Sequence, residues 1–246
     1  GRIHTVKEFE IGFKAARDVG FDNINVDLIF GLPGQSLKDF IYGLNQLLVF
    51  SPEHISCYAL SVEIGTEFHK RKRSGKLPLP TEKDERLMYH KAIEVLTCHD
   101  YKHYEISNFA LVNKESRHNL VYWTYKDYLG IGAGSHSFVD NKRFNNYPSI
   151  PVYIKSIAEF HNAIEQAKTI SIDEQQAEFC FLGLRLLDGL DKQAFYRRFN
   201  KKITQTHGNA IEKLKKQGLL QENPKGIKLT TRGLDFANTV FVEFLP

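Results

Sequence analysis

The sequence predicts an α/β fold followed by a smaller winged-helix-like domain, and three observations carry that reading. Helix and strand signals alternate from residue 5 to residue 61. Residues 173–246 switch to helices followed by a hairpin. Between the first helix signals lies INVDLIFGLPGQS, residues 24–36, an apolar run that holds one carboxylate, Asp27, and then breaks into Gly31, Pro33 and Gly34.

Thr5-Val6-Lys7-Glu8 has the form of a capping box, in which the Thr and Glu side chains satisfy free amides at a helix start. Val6, Phe9, Phe13 and Ala16 follow at helical spacing, and Gly20 suits the left-handed residue after a helix. Residues 24–30 read as a strand. Ser36 caps a second helix with Leu37, Phe40, Ile41, Leu44, Leu47 and Leu48 on one face, and Ser51-Pro52 ends it. HISCYALS, 54–61, is a second strand. A crossover helix between two strands makes a parallel sheet the default.

Side chains alternate along a strand, so Ile24, Val26, Leu28 and Phe30 share a face that packs on helices, while Asn25, Asp27 and Ile29 share the other. In an αβ barrel, ligands bind at the inward face near the strands' C-terminal ends. A lone carboxylate buried there needs a partner or a ligand. A hydrogen bond to a neighbouring strand or to an Arg would serve equally. The Gly31–Gly34 turn is a stiff strand-to-helix connection; without a following Gly-Lys-Ser/Thr it is not a P-loop.

Composition sets limits. Hydrophobic residues make up 42% and charged ones 25%, which suits a soluble globular protein with its own core. A net charge of +4 permits an anionic ligand without demanding nucleic acid. No apolar run reaches the length of a membrane span, and the N-terminus does not read as a signal peptide. Cys57, Cys98 and Cys180 are too far apart for a C-x-x-C metal site and suggest no disulfide framework, so a cytoplasmic location is expected. The chain opens on Gly1 rather than Met, and a fragment is expected.

NVDLIFGLPGQS, HYEISNFA (103–110), RHNLVYW (117–123) and DYLGIGAGSHS (127–137) resemble, in matching order, segments of the radical SAM family related to oxygen-independent coproporphyrinogen III oxidase. The resemblance runs from Arg2 to near the C-terminus. His118-Asn119-Leu120-Val121-Tyr122-Trp123 resembles the H-N-x-x-Y-W pattern of the family's haem chaperone branch. The resemblance implies the later part of a partial αβ barrel that binds S-adenosylmethionine (SAM) beside a four-iron cluster. It implies SAM contacts at Asp27 and Arg2, and further SAM-site positions at Ser61 and His136. It also implies haem contact at His118, Asn119, Tyr122 and Trp123. The family's C-x-x-x-C-x-x-C motif is absent, so the 4Fe-4S ligands are expected upstream of this chain, with no metal ligand and no catalytic residue assigned here. Reductive SAM cleavage by this chain alone is not expected. The implied function is haem transfer to acceptor proteins, those of the respiratory chain among them. The alternative is the oxidase activity in porphyrin biosynthesis.

Imidazole is a usual axial haem ligand and aromatic rings suit a flat macrocycle, although a histidine beside aromatics is more often simply packed and hydrogen-bonded. Gly130 and Gly132 lack the third glycine of a G-x-G-x-x-G dinucleotide fingerprint, due at 135, where Ser135 stands; close backbone packing at a strand end is expected instead. His69 to Arg73 is a basic cluster expected in a solvated turn, with propionates or an acidic partner as the functional alternative. Glu85, Met88, Tyr89, Ile93 and Leu96 belong to a scaffold helix. Glu105 is assigned no role.

The expected divisions are a partial barrel over 1–149, a connecting helix over 150–172 and the winged-helix-like domain over 173–246. In the last, Ala177, Cys180, Phe181, Leu184 and Leu187 face inward on the first helix. Phe195 and Phe199 mark the second helix, and Ile211 and Leu214 the third. A hairpin turns around 223–226, and a last helix follows Thr231. Lys213, Lys215 and Lys216 raise DNA binding as a rival function. Asp191, Glu212 and Glu222 dilute that charge, and no nucleic-acid partner is expected.

Overall fold

The computed structural model describes residues 4–246, which form two compact units, one ending at Glu115 and one beginning at Ser116. The sequence-based boundary at 149/150 falls inside the second unit. Arg2 lies outside the described residues.

In the first unit, helix α1 (Val6–Asp18) starts on the expected capping box, with both Thr5–Glu8 bonds formed. Strand β1 (Asn25–Phe30), helix α2 (Leu37–Leu48) and strand β2 (His54–Ala59) make a parallel β–α–β unit in which Asn25 pairs with His54 and Phe30 with Ala59. Ser36 and Asp39 form a second capping box at the start of α2. Helices α3 (Glu67–Arg73) and α4 (Glu82–Cys98) follow, then strands β3 (Lys102–Glu105) and β4 (Asn108–Ala110). This last pair is a hairpin that adds antiparallel to β2, so the sheet order is β1-β2-β4-β3 and the sheet is mixed.

The apolar face of β1 packs as its alternation requires. Phe30 joins Phe40, Leu44, Leu47, Ile55, Met88, Leu96 and Phe109 in one core, with Val26 and Leu28 against it. Burying a side chain of this size contributes roughly 1.5–3 kcal/mol each. Arg17 ties α1 to the sheet: its guanidinium contacts both Glu53 oxygens at 2.8 Å, and Glu53 also accepts from the Ile24 amide. The basic cluster is helical rather than a turn. Thr66 caps α3, and four cations in its last turn sit at the end that the helix dipole favours.

The second unit opens with helix α5 (Arg117–Trp123). Strands β5 (His136–Val139), β6 (Lys142–Asn146) and β7 (Ile164–Thr169) form an antiparallel sheet in that order, with helix α6 (Ile150–Phe160) between β6 and β7. The sequence reading expected the helix but none of these strands. The expected helices and hairpin follow in order, but the first helix stops at Gly183, short of Leu184 and Leu187, and a strand unmarked in the sequence precedes the second helix. Helix α7 (Ile172–Gly183) is followed by strand β8 (Leu190–Asp191), helix α8 (Lys192–Phe199) and helix α9 (Ile203–Lys216). Strands β9 (Leu220–Glu222) and β10 (Gly226–Leu229) complete a sheet of order β8-β10-β9, and helices α10 (Thr231–Asp235) and α11 (Ala237–Val242) close the chain. Phe195, Leu184, Ile211, Leu214 and Val240 are buried in this part. Among the described residues no helix is long and apolar enough to cross a membrane.

Candidate functional site

Asp27 is exposed at the middle of β1, not buried as the strand's composition suggested. The residues around it explain how an open carboxylate is held. Asn25, two residues earlier on the same face, donates from Nδ2 to Asp27 Oδ1 at 2.8 Å. That fixes the amide, so Asn25 Oδ1 is an acceptor, and it accepts from Ser56 Oγ at 3.1 Å and from His54 Nδ1 at 2.6 Å. His54 then carries its proton on Nδ1 and accepts at Nε2 from the Tyr104 hydroxyl, 2.8 Å away. Burial pushes the His54 imidazole below its ordinary value, with Asp27 and Glu115 pulling the other way. A neutral ring fits this bonding pattern. The row Tyr104–His54–Asn25–Asp27 therefore crosses the polar face of the sheet and ends on an oxygen pair open to a ligand. Such a carboxylate can accept from hydroxyl or ammonium donors.

The sequence reading missed His54, Ser56 and Tyr104. The signal was present: His54, Ser56 and Tyr58 alternate with Ile55 and Cys57 along β2, and the parallel register puts Ser56 beside Asp27. Glu105 is fully buried and accepts from the Ser107 amide at 2.9 Å and from the Asn108 side chain, so it closes the β3–β4 hairpin. Ser61 lies beyond the end of β2, exposed, with its hydroxyl on Glu63.

In the second unit, His136 begins β5 and is exposed. In the glycine segment beside it, close packing is confined to Gly130, where a Cβ would collide with the His136 carbonyl; Gly132 borders open space. Asn146 Nδ2 pins the same segment through Gly132 O and Ser135 Oγ, both at 3.0 Å.

His118 and Tyr122 stand one turn apart on α5. His118 Nε2 pairs with the Tyr122 hydroxyl at 2.8 Å, and the rings meet edge-on at 4.9 Å. His118 is exposed, which is not the packed histidine that such a setting more often holds. Its Nδ1 is left for another partner. Tyr122 also meets Tyr128 edge-on at 4.5 Å. Trp123 lies under the Arg185 guanidinium, 4.3 Å from the ring centroid. Asn119 is half-buried, and its amide donates to the Ser116 cap. A cleft of about 300 Å³ adjoins the helix, lined by Tyr122, Trp123, Tyr125, Tyr128, Phe138 and Arg143 among others.

Tyr125 fixes this helix from just beyond its end. It is buried, adopts a left-handed φ of +53°, and donates to Glu178 of α7 at 2.9 Å. Arg143 of β6 binds the same carboxylate bidentately at 2.9 and 3.0 Å. Arg198 of α8 stacks over the Tyr125 ring at 4.6 Å. Burial and the neighbouring Glu178 raise the Tyr125 phenol, so it stays a donor. Nothing local in the sequence marked this set; Arg143 and Glu178 are 35 residues apart.

The iron–sulfur cluster does not fit these residues. Among the described residues no three His, Cys, Asp or Glu side chains gather as metal ligands. Burial pushes the Cys57 thiol up to about 12 and raises that of Cys180. Two of the three lysines that raised DNA binding are engaged: Lys213 pairs with Glu243 at 2.7 Å, and Lys215 with Glu212 and Glu222 at 2.8 and 2.7 Å, while Lys216 is exposed.

Residues 170–236 match the model of the HemN C-terminal domain. Over its whole length the chain is 36% identical to the heme chaperone HemW of Bacillus subtilis (strain 168) and 34% identical to that of Lactococcus lactis. It spans 65% and 64% of those two proteins. It is 29% identical, again over its whole length, to radical S-adenosyl methionine domain-containing protein 1, mitochondrial, of Danio rerio, covering 58% of it. Among solved structures, the Escherichia coli coproporphyrinogen III oxidase HemN, described as a radical SAM enzyme, superposes with a TM-score of 0.77 over 98% of this chain and 59% of that one. At 20% identity that likeness concerns the fold alone. The chain is thus similar over its whole length to the HemW heme chaperones, and residues 170–236 to the HemN C-terminal domain. The sequence likeness is to the HemW heme chaperones, and the likeness to the oxidase is one of fold.

Proposed function

We propose that this chain is the part of a haem chaperone that receives haem on α5 and contributes SAM contacts from β1, within a longer protein that passes haem to acceptor proteins. The observation that carries the reading is His118: an exposed imidazole on a motif helix, paired with Tyr122 and beside an aromatic cleft. When bound, haem would supply an iron that can take a nitrogen ligand. The chain's own residues do the rest. His118 offers a ring nitrogen, Tyr122 orients that ring, and Trp123 and Asn119 hold the helix that carries both. On β1 the Asn25–His54 row orients Asp27 toward ribose hydroxyls or an ammonium group, with Arg2, Ser61 and His136 as further contacts.

One crossed experiment tests both halves. Haem and SAM are titrated separately into the longer, cluster-bearing protein, with His118→Ala and Asp27→Ala each serving as the other's control. The expected result is a weakened or shifted Soret band for His118→Ala alone. SAM affinity should fall roughly 10- to 150-fold for Asp27→Ala alone, the loss of one charge-assisted hydrogen bond. His90, His99 and His103 variants should bind haem as wild type does. If His118→Ala binds haem unchanged, the haem half fails; unchanged SAM affinity in a folded Asp27→Ala protein sinks the other.

A further inference from the structure

The winged-helix-like part holds a cavity of about 680 Å³ between α7, the first turns of α9 and the segment after α11. That volume suits a small organic ligand. Its floor includes Gln176 of α7, which is 3% exposed and whose side-chain Nε2 has no hydrogen-bond partner. A buried amide donor left unsatisfied is destabilising, so it needs an acceptor. Asp173, one turn earlier, lies on the same side of α7 and reaches the rim.

The opposite wall is a break in α9. His207 has φ −124° and ψ 19°, outside helical geometry, and its Nδ1 is held by Thr206 Oγ1 at 2.8 Å. Its ring leans on Phe244, 5.5 Å between centroids. Gly208 follows, and a Cβ added there meets nothing within 4 Å, so this wall is open where the chain kinks. Lys201 stands at the rim, exposed. Lys213 and Glu243, also on the rim, neutralise one another at 2.7 Å.

The side-chain charges left over are one cation and one anion, Lys201 and Asp173, above a donor that lacks an acceptor. A simple anion would satisfy Gln176 and Lys201 but face Asp173. A simple cation would satisfy Asp173 but face Lys201 and leave Gln176 as it is. We propose that this cavity binds a small zwitterion of the α-amino acid class, its carboxylate accepting from Gln176 and Lys201 and its ammonium donating to Asp173. The site is separate from α5 and does not depend on the haem reading.

Thermal unfolding of the full chain with millimolar L-α-amino acids tests it, with acetate and methylamine at matched ionic strength as half-ligands. At least one amino acid should raise the midpoint by about 2–4 °C once it exceeds its Kd several-fold, and neither half-ligand should. Gln176→Leu should abolish the response while leaving the unliganded protein as stable or more so, because the orphan donor is gone. Gly208→Leu should block the cavity from the other wall, which keeps the test sound if the glutamine variant folds poorly. The proposal is overturned if no amino acid shifts the midpoint, if acetate alone reproduces the shift, or if the shift survives both variants.

Discussion

Asp27 and His118 both offer a polar head to solvent, and the chain holds them by different means. Asp27 sits on a strand. Its orientation comes from a hydrogen-bonded row through Asn25 and His54 to Tyr104, drawn from three strands of one sheet. His118 sits on a helix of seven residues, too short to be stable by itself. Its near support is Tyr122, one turn along the same helix; its far support is Tyr125 on Glu178, outside the helix altogether. A strand site inherits its geometry from register. A short-helix site depends on whatever anchors the helix, and that anchor is set by tertiary contacts. Damage to the anchor should therefore cost more than damage to the row, and the exposed ligand residues should cost least.

The largest expected effect is at Glu178. Its carboxylate takes the Tyr125 hydroxyl and both arms of Arg143. Glu178→Ala leaves a buried phenol and a partly buried guanidinium without their acceptor, a loss of about 2–4 kcal/mol after allowing for the partial exposure of Arg143. Trp123 is the chain's one tryptophan and lies on α5, so its fluorescence in a urea titration reads this unit directly. Glu178→Gln should lose less, because an amide oxygen can still accept from Tyr125. A change under about 0.5 kcal/mol in the alanine variant would mean that the anchor does not hold the helix.

The row behind Asp27 should respond next, and it should respond to acid. Burial lowers the His54, His103 and His207 imidazoles below the ordinary value of about 6.5. Because the folded values lie below the unfolded ones, the unfolded chain binds these protons first. Stability is then retained above about pH 6.5 and lost as pH falls below it, each histidine adding at most about 1.4 kcal/mol per pH unit. His54→Gln removes one titrating ring from this sum and should flatten the slope, at a cost near neutral pH of about 1–3 kcal/mol for the broken row. An identical slope in the variant would show that His54 titrates in the folded state as freely as in the unfolded one.

The sequence made the opening α1-β1-α2-β2 stretch legible because its elements carry local signals, while α3 and the β3–β4 hairpin went unread. Capping boxes at Thr5 and Ser36 sit at helix starts, and apolar period-2 spacing marks β1 and β2. The same held for the helices and hairpin from α7 to β10, where the helix spacing and the 223–226 turn were explicit. The sheet β5-β6-β7 was missed for two reasons. Its hairpin turns on Asp140-Asn141, both at positive φ, a two-residue signal that was overlooked. Its third strand, Ile164–Thr169, is exposed along its whole length, so burial imposes no alternation for a reader to find. Asp27 and His118 stood out through motif. The residues that hold them did not, because hydrogen bonds across strands and between β6 and α7 join positions tens of residues apart.

The smallest expected effect is the most informative about α5. The His118–Tyr122 pair is a single hydrogen bond on the solvent side of a helix, at i and i+4. Such pairs stabilise by about 0.2–0.5 kcal/mol. His118→Ala and Tyr122→Phe should therefore each leave the Trp123-reported stability within about 0.5 kcal/mol of wild type. The double variant should show a coupling of the same small size. A histidine whose role is packing behaves differently: its removal opens a gap, and the loss exceeds about 1 kcal/mol. Haem binding should move the other way. An iron–imidazole bond has no substitute in apolar contact, so His118→Ala should weaken it strongly. Tyr122→Phe keeps the ring and loses only the hydroxyl that steers His118, so its effect should be smaller and should appear as an altered Soret position more than as lost affinity. A large stability loss in His118→Ala, with haem affinity falling only in proportion, would return this residue to the scaffold and leave the aromatic cleft without its ligand.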